Sequence, residues 1–371
     1  MRLLPLILIV IAGSLSASEP TPAYPLWDGH ESVADYAKKV NLPPTKTLDL
    51  GSGVNMELVL IPAGKFVMGT PEPTAVDDAG FQRKIQTGQV LLAVSVVALL
   101  VMLAVVVIKA VRKRQRPKYS LLWLLAMTVM AGGCVLSGFH WRQSAKELEA
   151  AKTEYAAAKA RFDAAPQSEK PGHPVTLTKP FFMGKYDVTQ EQYQQLLGAN
   201  PSQFKGKDNP VETVSWDEAQ AFCKKLAEQT QQAVRLPSEA EWEYSCRAGT
   251  TTTYHSGDTE ADLARVAWYT ANSKNTTQPV GQKEPNAFGL YDMHGNVWQW
   301  YQDWYAEDSY GKSPTTDPEG PAQSGIRLLR GGSCYYNDPM SCRSAARGGN
   351  LPGYRFINIG FRVVVPASTQ P

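Results

Sequence analysis

Cys334 and Cys342, eight residues apart, are the side chains of this chain whose type and spacing most invite chemistry. A loop can bring two such residues to within thiolate distance, so they could share a soft metal ion or close a disulfide in an oxidising compartment. Close by, Arg347 offers a planar fork of donors able to hold a peptide carbonyl or a carboxylate. Gly331 and Gly332, just before Ser333, permit close backbone approach or unusual dihedrals, which suits a peptide groove or a tight turn equally. Other chemistries lack their residues. The histidines (His30, His140, His173, His255, His294) form neither an H-E-x-x-H pair nor a Cys/His zinc spacing. No G-x-S-x-G elbow or glycine-rich phosphate loop occurs. Glu239, Glu241 and Glu243 lie on a capped helix and read as caps and surface charge.

The elements that must position these residues belong to a chain of 371 residues, long enough for two ordinary domains. It is 43% hydrophobic and 19% charged, neither a disordered tail nor a wholly embedded membrane protein. Five cysteines in this length exclude a small disulfide scaffold. The net charge of +2 is unevenly placed: residues 81–118 carry eight Lys/Arg and no Asp/Glu, leaving −6 for the rest. That distribution argues against a nucleic-acid partner, which would want basic residues spread over a folded face.

The apolar segments set the topology. Met1-Arg2, the apolar run 3–12 and the small residues 13–18 read as a signal peptide, with cleavage after Ser16 or Ser18. Residues 90–108 and 120–139 contain no charge, and each is long enough at ~1.5 Å per residue to cross the hydrocarbon layer. Both read as transmembrane helices, with Cys134 inside the second. The loop 109–118 between them holds Lys109, Arg112, Lys113, Arg114, Arg116 and Lys118 and is therefore expected to be cytoplasmic. Both flanks then lie outside the cytoplasm, where the signal peptide also sends the N-terminal part. The resulting expectation is a cell-membrane protein with a periplasmic globular domain. Residues 142–165, rich in alanine and interleaved charge, read as a solvated helical stalk ended by Pro166.

From His173 onward the texture changes to Gly, Pro, Trp and Tyr. Capping boxes open three helices, at Thr189 (with Gln192), Ser215 (with Glu218) and Ser238 (with Glu241). In the second, Ala219, Phe222, Cys223 and Leu226 mark the buried face. Past Ala248 no long helical period appears, and short β-like runs at 326–329 and 360–365 alternate with turn clusters. The fold class expected is α+β with much irregular backbone.

Several motifs carry a resemblance: LVLIPAGKFVMGT (58–70), PFFMGKYDVTQEQY (180–193), PVETVSWDEAQAFC (210–223), RLPSEAEWEYSCRAGT (235–250), NAFGLYDMHGNVWQW (286–300), RGGS (330–333) and NIGFRVV (358–364). In type and order they resemble the formylglycine-generating, sulfatase-modifying-factor family, whose fold is related to C-type lectins. The resemblance covers 56–70 and 174–365. Together with the apolar segments, it divides the chain into 1–18 (signal peptide), 19–81 (N-terminal segment with the first part of the domain), 82–141 (a two-helix transmembrane hairpin), 142–172 (stalk) and 173–366 (main body). The hairpin and stalk interrupt the domain where the family has a short acidic loop. The first strand, within 58–66, must then pair with the later body.

The enzymes of this family oxidise a sulfatase cysteine to formylglycine with oxygen and Cu(I), and soft thiolate ligands suit that ion. The resemblance places their copper cysteines at Tyr336 and Ser341 of this chain, so the pair is out of register and only Cys334 and Cys342 could stand in. It also implies a bridge from Cys246 to a residue at Ser344, for which Cys342 is the nearest substitute, giving a Cys246–Cys342 disulfide as the expectation. Cys223 has Val363 where its family partner would be and reads as a packed thiol. Ser333, Trp298, Arg347 and Asn358 fall on the family's substrate groove, although Trp298 and Trp300 also suit plain core. For calcium, the resemblance implies Asp292, Gly295, Val297 and Gln299 at one site and Asn272 and Ser273 at another. Gln299 supplies an oxygen without the usual Glu charge, and Asp292 with Asn296 would equally cap a turn. The function expected is a membrane-anchored binding or scaffolding protein for a peptide or protein ligand. The alternative is an oxidase acting on a sulfatase-like partner through Cys334, Cys342 and Ser333.

Overall fold

The computed structural model describes residues 23–113, 121–335 and 338–367. The signal-peptide expectation (1–18), most of the basic loop (114–118) and Tyr336 lie outside the described residues. The chain forms two units, one of residues 1–69 with 173–371 and the other of 70–172.

The first unit is built on a sheet of β1 (Thr45–Asp49), β2 (Asn55–Ile61), β5 (Phe181–Gly184) and β12 (Val364–Pro366), in the order β1-β2-β5-β12. Alternation along β2 sends Leu58 and Leu60 into one core and Val59 and Ile61 into another, so the sheet is covered on both faces. Pro62 and Ala63 interrupt the apolar run, and the chain resumes as β3 (Gly64–Met68). β3 pairs antiparallel with β4 (His173–Leu177), with Met68 opposite His173. The strand expected at 58–66 is thus two strands, and each pairs with the later body as anticipated. The run expected at 360–365 likewise divides between β11 (Ile359–Gly360) and β12.

Helices cover the sheet. After α1 (Val33–Lys39) come α4 (Gln190–Leu197), α5 (Trp216–Thr230) and α6 (Glu239–Arg247), each opened by the capping box its sequence announces. Ala219, Phe222, Cys223 and Leu226 of α5 fill the first core, and Trp242 and Tyr244 of α6 fill the second. A fourth box, Thr259 with Asp262, opens α7 (Glu260–Val266), and α8 (Thr270–Ser273) follows. The remaining strands are β6 (Ala267–Trp268), β7 (His294–Gly295), β8 (Trp298–Trp304), β9 (Arg327–Arg330) and β10 (Gly348–Asn350). A second sheet runs β10-β9-β8-β11, and β6 pairs with β7.

In the second unit, α2 (Asp78–Lys113) packs antiparallel on α3 (Leu121–Ala164). Gly88 lies under Trp141, Gly138 on Leu92 and Gly133 near Ser95, while Lys152 pairs with Asp78 at 3.1 Å. Residues 142–165, expected as a solvated helical stalk, are helical and mostly exposed, but they are not a separate element. These residues continue the second apolar helix without a break, and Leu148 is buried to 3% exposure in a helix pair that also buries Ile85. Alanines hid this face, because Ala151 and Ala158 supply spacing but little apolar bulk to a periodicity reading. Among the described residues one stretch, Asp78–Val105, is long and apolar enough to cross a membrane.

Candidate functional site

The turn after β9 carries Ser333 and Cys334. Gly332 adopts φ 70°, and a Cβ there would stand 2.5 Å from the Cys342 sulfur, so the turn needs glycine for dihedral and space alike. Ser333 Oγ accepts a hydrogen bond from Asn358 Nδ2 at 2.9 Å and donates to the Tyr335 carbonyl at 3.1 Å. Asn358 in turn accepts the Trp298 N–H at 2.8 Å through its backbone carbonyl, just ahead of the parallel β8/β11 pairing. The structure therefore brings together Ser333, Asn358 and Trp298. A row of rings flanks them: Phe204 against Tyr335, Tyr335 against Phe356, and Tyr354 stacked on Phe356.

Arg347 does not join this group. Its side chain is fully buried, with Nε 2.6 Å and Nη2 3.0 Å from the Glu239 carboxylate, while Nη1 donates to the Ala306 carbonyl. The same carboxylate takes Arg330 Nη2 at 2.5 Å, and Glu243 takes Arg330 at 2.8 Å and Arg247 at 2.8 Å. Tyr310 also bonds to Arg330. Burial alone would raise Glu239, but Arg330 and Arg347 prevail and hold it down at about 2. This network corrects the reading of Glu239 and Glu243 as surface charge and of Arg347 as a groove residue. The signal was available: Glu239, Glu243 and Arg247 recur at intervals of four and share one face of α6, whereas the capping box uses only Glu241.

The cysteines are free among the described residues. The expected Cys246–Cys342 bridge is absent: Cys246 Sγ lies 3.6 Å from His294 Nε2 and 3.8 Å from Ser344 Oγ. Cys342 ends a short 3-10 turn (Pro339–Cys342), and its carbonyl meets His294 Nδ1 at 2.6 Å. Cys334 is held by its backbone, donating to Asn296 and accepting from Ser273 Oγ at 2.7 Å. Burial pushes both Cys334 and Cys342 up to about 12. Both sulfurs are enclosed, Cys334 and Cys342 at 0% exposure, so neither offers copper and a peptide an open position, and the two do not fit a copper pair as they stand. Cys223 packs in the first core as expected, with its thiol pushed up by burial.

The calcium residues are mostly committed elsewhere. Gln299 Oε1 accepts from Trp242 Nε1 at 2.9 Å, Arg362 Nε at 2.8 Å and Tyr301 at 3.3 Å. The cation beside that oxygen is thus the buried Arg362 guanidinium, which also pairs with Asp187 at 3.1 Å. Asn272 closes the N-terminus of α8, accepting the Tyr269 N–H and donating to Ala267. Ser273 bonds Cys334 through its hydroxyl, and its carbonyl accepts from Thr276 and Gln278. Asp292, at φ 54° beside Gly295 and Val297, accepts the Gly281 N–H and alone keeps a buried, unpartnered oxygen, Oδ1. A hard cation needs six or more oxygens, so this donor set does not fit calcium as a whole.

His294 accounts for a pH dependence. With Nδ1–H assigned as donor to Cys342, Nε2 accepts the His255 N–H at 3.1 Å, and the two rings stack at 4.9 Å. Burial lowers both histidines, His255 to about 4. Their folded pKa values lie below the unfolded one, so the unfolded chain binds more protons as pH falls beneath about 6.5. Stability is accordingly expected to fall between about pH 6.5 and 4, by on the order of 2 kcal/mol for His255. Thermal melts over that range check this, and His255→Gln should flatten the slope.

Comparison with known proteins agrees with the geometry. Residues 126–367 match the family model described as sulfatase-modifying factor enzyme 1-like domain, and the chain belongs to that family. Formylglycine-generating enzyme of Streptomyces coelicolor is 38% identical over 176 residues, 43% of this chain and 54% of that one. The chain thus spans about half the length of that relative. Chaperone protein LppX of Paenibacillus barcinonensis is 32% identical over 211 residues, 43% of this chain and 70% of that one. Among solved structures, Treponema denticola variable protein 1 superposes with a TM-score of 0.58 at 24% identity, covering 88% of this chain and 100% of that one, a likeness of fold.

Proposed function

We propose that this protein is a membrane-anchored, extracytoplasmic member of the family that binds or scaffolds a peptide or protein ligand and does not oxidise cysteine. The observation that carries this reading is the enclosure of Cys334 and Cys342, both at 0% exposure and, among the described residues, not bridged to any partner. The ligand surface is the row of rings beside the Ser333 turn, where Tyr354 and Phe356 are each 39% exposed, since aromatic side chains suit an extended peptide. Membrane anchoring is supported by the side chains that α2 and α3 leave bare: Val94 is 62% exposed, Val135 72% and Phe139 65%. The two apolar stretches cross the bilayer as a hairpin, with the loop 109–118 cytoplasmic and the globular unit periplasmic. One relative, LppX, carries the name of a chaperone protein, in keeping with a binding role. Topology is tested by phosphatase fusions. A fusion within 109–118 is expected to be inactive and one after residue 367 active; the opposite pattern would sink the assignment.

A further inference from the structure

The helical unit carries cations at both ends of its apolar band, and the reading above uses only those of the loop 109–118. At the other end, residues 79–89 and 140–146 hold Arg83, Lys84, Arg142 and Lys146 and no Asp or Glu. The pairing of the helices gathers them. Gly88 of α2 lies under Trp141 of α3, and Lys152 meets Asp78 at 3.1 Å. Lys84 therefore stands level with Lys146, and Arg142 lies one turn nearer the apolar band. Each of these basic residues is exposed. None forms an ion pair among the described residues: Asp78 is taken by Lys152, Glu147 by the Gln143 amide at 3.1 Å, and Glu149 pairs with none of them. The collar begins where the bare apolar surface of Val90 and Leu91 on α2 and Leu136 and Phe139 on α3 ends. At ~1.5 Å per residue, Arg142 sits about 5 Å past Phe139 and Lys84 about 9 Å past Val90, within reach of a headgroup layer for long side chains. Topology does not account for these cations, because on the translocated side they oppose the bias that 109–118 sets.

We propose that this collar binds anionic phosphate headgroups of the phosphatidylglycerol type in the extracytoplasmic leaflet, an inference that rests on the hairpin crossing the bilayer. Unpaired cations bordering a bare apolar band match a surface that offers phosphate just where its hydrocarbon ends. The Arg83 and Arg142 forks suit phosphate oxygens, and the Lys84 and Lys146 ammonium groups add point charge. A soluble acidic protein would meet the charge but leave the adjoining valine and leucine side chains uncovered.

The full chain is reconstituted into phosphatidylcholine vesicles carrying spin-labelled phosphatidylglycerol or spin-labelled phosphatidylcholine, and paramagnetic resonance reads the immobilised fraction of each label. Phosphatidylglycerol is expected to associate about threefold more strongly than phosphatidylcholine. Arg83→Gln, Lys84→Gln, Arg142→Gln and Lys146→Gln together should bring that ratio to about 1.5, and Arg142→Gln alone should lower it partway. Equal association of the two lipids with the wild-type chain overturns the proposal. So does a preference unchanged in the combined variant, which would assign the lipid to 109–118. A preference abolished by ~10 mM inorganic phosphate at constant ionic strength would make the collar a site for free anions and overturns it too. An alkaline carbonate wash separates these results from failure of the hairpin. A chain washed out of the vesicles does not cross the bilayer, and both readings fall; a chain that stays without preferring phosphatidylglycerol loses only the collar's role.

Discussion

Glu239→Gln is expected to destabilise the globular unit by about 3–5 kcal/mol, the cost of leaving a buried guanidinium without its anion. The wild-type arrangement sets three guanidinium groups, Arg247, Arg330 and Arg347, against two carboxylates, Glu239 and Glu243. Glutamine keeps an acceptor at Oε1 but removes one of the two charges, and neither Arg330 nor Arg347 has any side-chain exposure to recruit water instead. Against a total stability of ~5–15 kcal/mol the loss is severe, equivalent to a drop in Tm of roughly 6–20 °C. Glu241→Gln, two residues on, serves as the contrast. Glu241 caps α6 and pairs with the partly exposed Arg235, so its loss should cost only ~1 kcal/mol. Denaturant melts of the two variants decide the matter; equal losses would mean that the buried network contributes no more than an ordinary helix cap.

Excising residues 70–171 and closing the gap with Asn-Gly is expected to release a folded, soluble globular unit. The two ends of the insertion are already neighbours, because Met68 and His173 face each other in the β3/β4 ladder. Opposed residues in such a ladder lie about 5 Å apart, a gap that a two-residue type I′ turn spans. The entry strand is held by its own contacts: Gly69 N–H bonds Glu243 at 2.8 Å, Arg247 bonds the Gly69 carbonyl at 3.0 Å, and Phe66 packs against Tyr244. Nothing in that list needs residues 70–171. Fractionation should move the protein from membrane to supernatant, with near-UV circular dichroism unchanged. An unfolded or aggregated product would show that the helical unit is required for folding rather than for anchoring.

Much of the fold was legible in the sequence. The boxes at Thr189, Ser215 and Ser238 each opened a helix because a hydroxyl followed three residues later by Glu or Gln satisfies two orphan donors locally, without help from distant chain. The box at Thr259 escaped notice because Asp262 takes the place usually held by Glu or Gln. The site was legible in part. Ser333, Asn358 and Trp298 do converge, since short paired strands carry them. Arg347, Gln299 and Asn272 do not do what their positions implied: Glu239 claims the first, Trp242 and Arg362 the second, all remote in sequence, and the third is used up locally in capping its own helix α8. A buried polar side chain takes whichever partner satisfies it, and that choice is a property of packing that motif position does not encode. The Cys246–Cys342 bridge fails for a related reason: His294 and Ser344 stand against Cys246, while the Cys342 sulfur lies over Gly332.

This family member keeps the fold while its thiols are buried out of use. The measurement that tests it most directly is turnover. The full chain in detergent micelles, supplied with Cu(I) and oxygen, is mixed with a Cys-x-Pro-x-Arg peptide, and the peptide is weighed by mass spectrometry over time. The expected product is a peptide whose cysteine stays intact. Conversion of that cysteine to an aldehyde, abolished by Cys334→Ser, would contradict it and make this protein an oxidase with a relocated thiol pair.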